Sequence, residues 1–147
     1  MNRKMFDIDW IREKVRKSED YVTKHADQER MNDNLTYMEI NEALLNGIII
    51  NIRILLNRVD IMKQVCHFCG NKNFKKTSVQ YIYRHHQQLL IVDDVPCMQC
   101  EYCGEQYFEG NVLRQIEEEF NTIYKKGKKV KKELHVPIEH FSDLQPV

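Results

Sequence analysis

A pair of matching cysteine units limits this chain more than any other feature. Cys66-His67-Phe68-Cys69-Gly70 and Cys100-Glu101-Tyr102-Cys103-Gly104 both read C-x-x-C-G, with residues 70–99 between the two cysteine pairs. Two residues between cysteines let a tight turn aim both sulfurs, and nearby backbone amides, at one point. The trailing glycine relieves crowding where the chain turns back at positive φ. Two such knuckles supply four thiolates in a tetrahedron, the donor set that suits zinc. The expected ligands are Cys66, Cys69, Cys100 and Cys103, holding one Zn2+ ion. A rubredoxin-like iron site uses similar knuckles, and geometry alone does not choose between the two metals. Four protein ligands leave no open position, so the metal is expected to be structural. Binding worth about 10–16 kcal/mol of apparent free energy in small zinc modules would be folding free energy here.

Cys97 also stands at ligand spacing from Cys100, so the pair 97/100 is an alternative to 100/103. Only the latter carries the trailing glycine, which leaves Cys97 as a small hydrophobe at a strand end. His67, His85 and His86 lie near the cysteines in sequence and read as a knuckle side chain and two turn residues. A redox C-x-x-C of the thioredoxin type needs a βαβ context that the pattern lacks. Five cysteines, an odd number, do not suggest a disulfide framework.

The chain has 147 residues, 22 basic and 22 acidic, for a net charge of zero. That length leaves no room for a TIM barrel or a two-half dinucleotide fold. Zero net charge gives no global field to hold nucleic acid or an acidic membrane. The apolar fraction of 42% is too high for a disordered chain. The longest greasy run, Gly47 to Leu56, is broken by Asn51 and Arg53 and falls short of the roughly 18 apolar residues of a membrane span. Asp7, Asp9 and Trp10 follow the first basic residues where a secretory leader would place apolar ones. A cytoplasmic location with no membrane partner is expected.

Periodicity predicts an α+β fold. Asp7 or Asp9 can cap a helix through Trp10–Asp20 with Ile11 and Val15 on one face. Tyr21 to Glu29 is ambiguous. Thr36-Tyr37-Met38-Glu39 fits a capping box, followed by Ile40, Ala43 and Leu44 at helical spacing and Gly47 at the C-terminal cap. Ile48–Leu56 reads as a strand, and residues 57–60 as the joint between a first unit at 1–60 and a second at 61–147. Thr77–Tyr83 and Leu89–Val95 read as an antiparallel hairpin turning through Arg84–Gln88. Asn111 can cap a helix with a stripe of Val112, Leu113, Ile116, Phe120, Ile123 and Tyr124. Leu134–Ile138 can form a short terminal edge strand. The second unit is thus expected to be a small zinc ribbon, a hairpin with two knuckles plus a C-terminal helix, preceded by a short helical segment with one strand.

Residues 66 to about 124 resemble the YgiT-type zinc finger, the N-terminal module of the MqsA family of antitoxins. The residues carrying this are the first knuckle, then Asp94-Val95-Pro96 ahead of Cys100 and Cys103, and Gly104-Glu105-x-Tyr107-Phe108 after them. The resemblance implies a structural zinc and a binding protein that neutralises a small ribonuclease toxin; the chain itself is not expected to be an enzyme. Full-length members add a C-terminal helix-turn-helix domain, for which residues 104–147 leave no room, so operator binding is not expected. His25-Ala26-x-x-Glu29-Arg30-Met31 and the segment Thr36 to Gly47 are similar to the start of small RelE/MqsR-like toxins, which implies a toxin remnant over residues 1–60. His25 and Arg30 could act as acid/base and phosphate-binding groups. The reading adopted is a helix-edge histidine and a surface ion-pair arginine.

Two charged runs complete the inventory. Six of the eight residues from Lys125 to Lys132 are lysine, either a solvated tail suiting a helix C-terminus or a salt-sensitive nucleic-acid contact. Glu117-Glu118-Glu119 is either an exposed helix face or a patch for a basic toxin. A homodimer is a further partner consistent with the pattern.

Overall fold

The computed structural model describes residues 8–17, 19–46 and 65–144. The chain runs through α1 (Ile8–Arg16), β1 (Tyr21–Thr23), α2 (Lys24–Asn32), α3 (Tyr37–Asn46), β2 (Phe74–His85), β3 (Gln88–Cys100), β4 (Gln106–Glu109) and α4 (Gly110–Lys126). A 3-10 turn lies at Phe141–Asp143. The fold of the described residues is α+β, with a four-stranded antiparallel sheet in the order β1-β4-β3-β2. The strand expected at Ile48–Leu56, the Gly47 cap and the joint at 57–60 lie outside the described residues.

The hairpin forms where alternation predicts it, and is longer. β2 and β3 pair from Phe74↔Cys100 to His85↔Gln88, and the turn is the two residues His86-Gln87, with His86 at φ 52°. One irregularity interrupts the ladder. Val79 faces Val95 but Tyr81 faces Val92, so Asp93-Asp94 together oppose Gln80. Asp94 takes the left-handed conformation at φ 56°, and Gln80 Nε2 donates to Asp93 Oδ1 at 2.8 Å. The bulge re-phases β3. Leu90 and Val92 before it, and Val95 and Cys97 after it, all pack towards the core despite the broken alternation.

β4 was not anticipated. It is four residues long, and its two central side chains serve opposite faces: Phe108 enters the main core, whereas Tyr107 packs beside Cys66 and Cys100. β1 pairs with it through Tyr21↔Glu109, Val22↔Phe108 and Thr23↔Tyr107. Thr23 then caps α2, its side chain accepting from the Ala26 amide at 3.1 Å. Residues on both sides of the 60/61 division therefore share one sheet. They share one core as well, in which Val22, Ala26, Met31 and Tyr37 join Tyr81, Tyr83, Phe108, Leu113, Ile116 and Phe120. Edge-on aromatic pairs join Tyr81 of β2 to Phe108 of β4 at 5.3 Å and Tyr83 of the sheet to Phe120 of α4 at 4.8 Å. A smaller cluster of Ile11, Val15 and Leu44 joins α1 to α3, and Arg12 Nε donates to the Leu44 carbonyl at 3.0 Å near the C-terminus of α3.

The capping box at Thr36 is formed: the Glu39 amide donates to Thr36 Oγ1 at 3.1 Å and the Thr36 amide to Glu39 Oε2 at 2.7 Å. Three boundaries differ from expectation. α1 stops at Arg16 rather than Asp20, because Asp20 is drawn inside, where its carboxylate receives the Tyr37 hydroxyl and its carbonyl the Gly110 amide. Asn111 is not the cap of α4. β4 runs straight into the helix, Glu109 occupies the cap position while still paired with Tyr21, and the Gly110 amide is satisfied by Asp20. Leu134–Ile138 forms no strand; Leu134, Val136 and Ile138 are exposed and pair with no strand among the described residues.

Candidate metal centre

The two knuckles have the same backbone. In the first, the Cys66 amide donates to the Asn71 carbonyl at 2.6 Å and the Gly70 amide to the Cys66 carbonyl at 2.8 Å. In the second, the Cys100 amide donates to Glu105 at 2.9 Å and the Gly104 amide to Cys100 at 3.0 Å. Gly70 and Gly104 sit at φ 75° and 79°, where a side chain is strained, as the C-x-x-C-G pattern requires. Pairing of Phe74 with Cys100 lays the start of the hairpin beside its end, and this brings the knuckles together.

All four sulfurs lie within 4.8 Å of one another, with Cys66–Cys103 and Cys69–Cys100 at 3.5 Å. A tetrahedron of thiolates with metal–sulfur bonds of about 2.3 Å has edges of about 3.8 Å. The observed spacings bracket that value, so the donor set fits a four-coordinate metal closed to solvent ligands. Cys66 and Cys100 are buried, Cys69 and Cys103 exposed. The cluster is therefore seated in the fold on one side and open to water on the other.

The thiols are not equivalent. Burial works against the Cys66 thiolate, but the Tyr107 hydroxyl and the amides of Cys69 and Phe68 outweigh it and bring the group down to about 6. At Cys103 the Glu105 amide favours the thiolate, yet the neighbouring sulfurs of Cys66, Cys69 and Cys100 push it up to about 12. Four adjacent thiolates repel one another, and a bound dication is what lets all of them ionise together.

Cys97 stands apart. It pairs with Thr77 inside β3, is buried in the main core, and is held above the ordinary thiol range by that burial. The sulfurs that cluster with Cys66 and Cys69 are therefore those of Cys100 and Cys103, not of Cys97. His85 and His86 sit at the hairpin turn, eleven residues along β2 from Phe74, on the order of 36 Å from the knuckles.

His25 and Arg30 are not brought to a common site. His25 is exposed, pairs with Glu29 at 3.3 Å and lies edge-on to Phe68 at 6.0 Å. Arg30 corrects the expectation of a surface ion pair, being only 4% exposed. Its guanidinium bonds Asp27 at 2.6 Å and the Leu35 carbonyl at 2.8 Å, and stands 5.4 Å from the Tyr83 ring. Glu117 likewise is not part of an exposed acidic face. It is 1% exposed and accepts the amides of Tyr37 at 2.6 Å and Met38 at 3.3 Å, capping α3 from 80 residues away. Its position four residues after Leu113, on the apolar stripe, was the signal for this.

Fold and site together define an α+β protein with a four-cysteine cluster at metal-binding distance. Comparison of the chain with protein-family models, with characterised proteins and with solved structures finds no match. No helix among the described residues is long and apolar enough to cross a membrane.

Proposed function

We propose that the chain is a zinc-stabilised binding protein of the antitoxin type that neutralises a small ribonuclease toxin, with Cys66, Cys69, Cys100 and Cys103 holding one structural zinc ion in a zinc ribbon. The sulfur cluster carries this reading: four converging cysteines leave no position for substrate, so the metal serves the shape of the surface around it. Residues of the resemblance have matching structural work, since Asp94 makes the bulge, Val95 and Phe108 fill the core and Tyr107 braces Cys66. Ile82 and Ile91 face each other across the hairpin and stand exposed with Leu89, an apolar patch of the kind partners cover. The test is affinity capture from native cytoplasm. Expected is a small protein whose RNA cleavage stops when the chain is added back and resumes with the Cys66→Ser or Cys103→Ser variant. Failure of the captured protein to cleave RNA, or cleavage indifferent to the chain, rejects the reading.

One observation favours nucleic-acid binding as a second reading. Lys128 is tied to Glu119 at 2.6 Å, but Lys125, Lys126, Lys129, Lys131 and Lys132 are exposed. Five phosphate contacts predict a salt slope of about −4.5 on duplex DNA. Deleting residues 125–132 then abolishes binding; unchanged affinity rules it out.

A further inference from the structure

The two knuckles repeat each other at an offset of 34 residues, and the repeat breaks at one atom. Cys66, Gly70 and Asn71 correspond to Cys100, Gly104 and Glu105 in the hydrogen bonds they make. The next correspondence is His67 with Glu101. The Glu101 amide donates to the backbone carbonyl of Asn73 at 3.1 Å. The His67 amide donates to the hydroxyl of Tyr107 at 2.9 Å. Asn73 lies four residues after Cys69, and Tyr107 four residues after Cys103, so the two acceptors occupy equivalent places.

They are not chemically equivalent. A carbonyl has lone pairs only, whereas a hydroxyl that accepts one hydrogen bond still has a proton to donate. The Tyr107 oxygen lies 3.3 Å from Cys66 Sγ. A metal-bound sulfur carries no proton, so with the lone pair turned to His67 the O–H points to sulfur. The ring cannot swing away: Tyr107 is 1% exposed, belongs to the β3–β4 ladder opposite Met98, and packs edge-on to Phe74 at 5.6 Å.

We propose that Tyr107 is a positioning residue for the metal centre, donating a hydrogen bond to the Cys66 thiolate and so anchoring that ligand to the fold. The inference rests on the reading of the four cysteines as a metal site. The knuckles thus differ in function although they match in backbone. The Cys66 side is fixed to the fold through β4, and exchange starts from the exposed sulfurs, Cys69 and Cys103. Outer-sphere partners of this kind are worth roughly 10–100-fold in metal affinity.

Cobalt substitution of the full chain tests it. Wild type is expected to take up one Co2+ with the spectrum of a tetrahedral thiolate site. In Tyr107→Phe the stoichiometry is kept, the thiolate-to-cobalt charge-transfer band moves to longer wavelength because the sulfur lone pairs lose their donor, and affinity in chelator competition falls by about 10-fold or more. Phe74→Leu loosens the packing around the ring but keeps the hydroxyl, and leaves the band where it is. A Tyr107→Phe band and affinity equal to wild type overturn the proposal, as does an equal band shift in Phe74→Leu. Should Tyr107→Phe not fold, the cadmium-loaded wild type decides: a Tyr107 hydroxyl proton coupled to the cadmium nucleus supports the bond, and an uncoupled one refutes it. A wild-type chain that binds no cobalt removes the metal reading and this inference with it.

Discussion

Glu117→Ala is the sharpest perturbation of the fold. The Glu117 carboxylate is buried, accepts two backbone amides of α3 and stands 3.9 Å from the Arg30 guanidinium. Truncation leaves the amides of Tyr37 and Met38 without this acceptor and reduces the negative charge around Arg30 to Asp27. A hydrogen bond to a charged group contributes about 1.5–3 kcal/mol, and breaking a buried charge pair from one side costs about 3–5 kcal/mol. These contributions overlap, so the expected loss is about 3–5 kcal/mol. That is a large share of the roughly 5–15 kcal/mol typical of a whole domain. Thermal unfolding should drop by about 6–20 °C, at roughly 2–4 °C per kcal/mol for a chain of this size. Urea titrations of wild type, Glu117→Ala and Glu117→Gln measure it, with the glutamine, which keeps one acceptor oxygen, falling between. A loss below about 1 kcal/mol in Glu117→Ala would refute the argument that α3 and α4 are held together by this cap.

The Tyr83 hydroxyl is buried with no hydrogen-bond partner among the described residues, so Tyr83→Phe is expected to be neutral or stabilising at pH 7, read from the urea midpoint. Burial, with the charge of Glu117, raises Tyr83 to about 12. A folded-state value above the unfolded one near 10 means that Tyr83 leaves stability unchanged with pH below pH 10, and that on the order of 2 kcal/mol is lost between pH 10 and 12 as the unfolded chain ionises first. The same substitution should therefore flatten the alkaline limb of the stability curve. A Cβ at Gly110 would collide with the Tyr37 hydroxyl and lie 2.6 Å from both Asp20 carboxylate oxygens, so Gly110→Ala should cost about 1–3 kcal/mol or more in the same assay. Strong chelation of the purified chain should release one equivalent of metal and abolish the near-ultraviolet signal of Tyr107 and Phe74 while α1 and α3 keep their helical signal. An unaltered spectrum argues against a structural metal.

The parts legible in the sequence were those whose chemistry repeats or alternates locally. The C-x-x-C-G units named all four clustered cysteines, Thr36 and Glu39 named a capping box that is formed, and the alternation of Val79, Tyr81 and Tyr83 named a strand face. What escaped depends on distant partners. β1 and β4 are three and four residues long, too short for period-two alternation to register, and each is specified by the other. Tyr107 and Phe108 look like adjacent aromatics in a loop until a strand sends them to opposite faces. Asp93-Asp94 reads as polar surface, and only the ladder shows that it resets the register. Arg30 and Glu117 follow the rule that charged residues stay outside unless paired: Arg30 has Asp27 three residues before it on the same helix, but the Tyr83 ring and Glu117 beside it, and the α3 amides that Glu117 accepts, come from distant segments.

The pairing of β1 with β4 dictates a timetable for biosynthesis. Tyr21 waits for Glu109, 88 residues later. At about 5–20 residues per second, the ribosome needs roughly 4–18 s to deliver that mate. Throughout this interval the nascent segment from α1 to α3 carries Val22, Met31 and Tyr37 without the strand and helix that will cover them. The last strand made is the one that closes the sheet, so any chaperone that attends this chain should release it only once Glu109 has emerged.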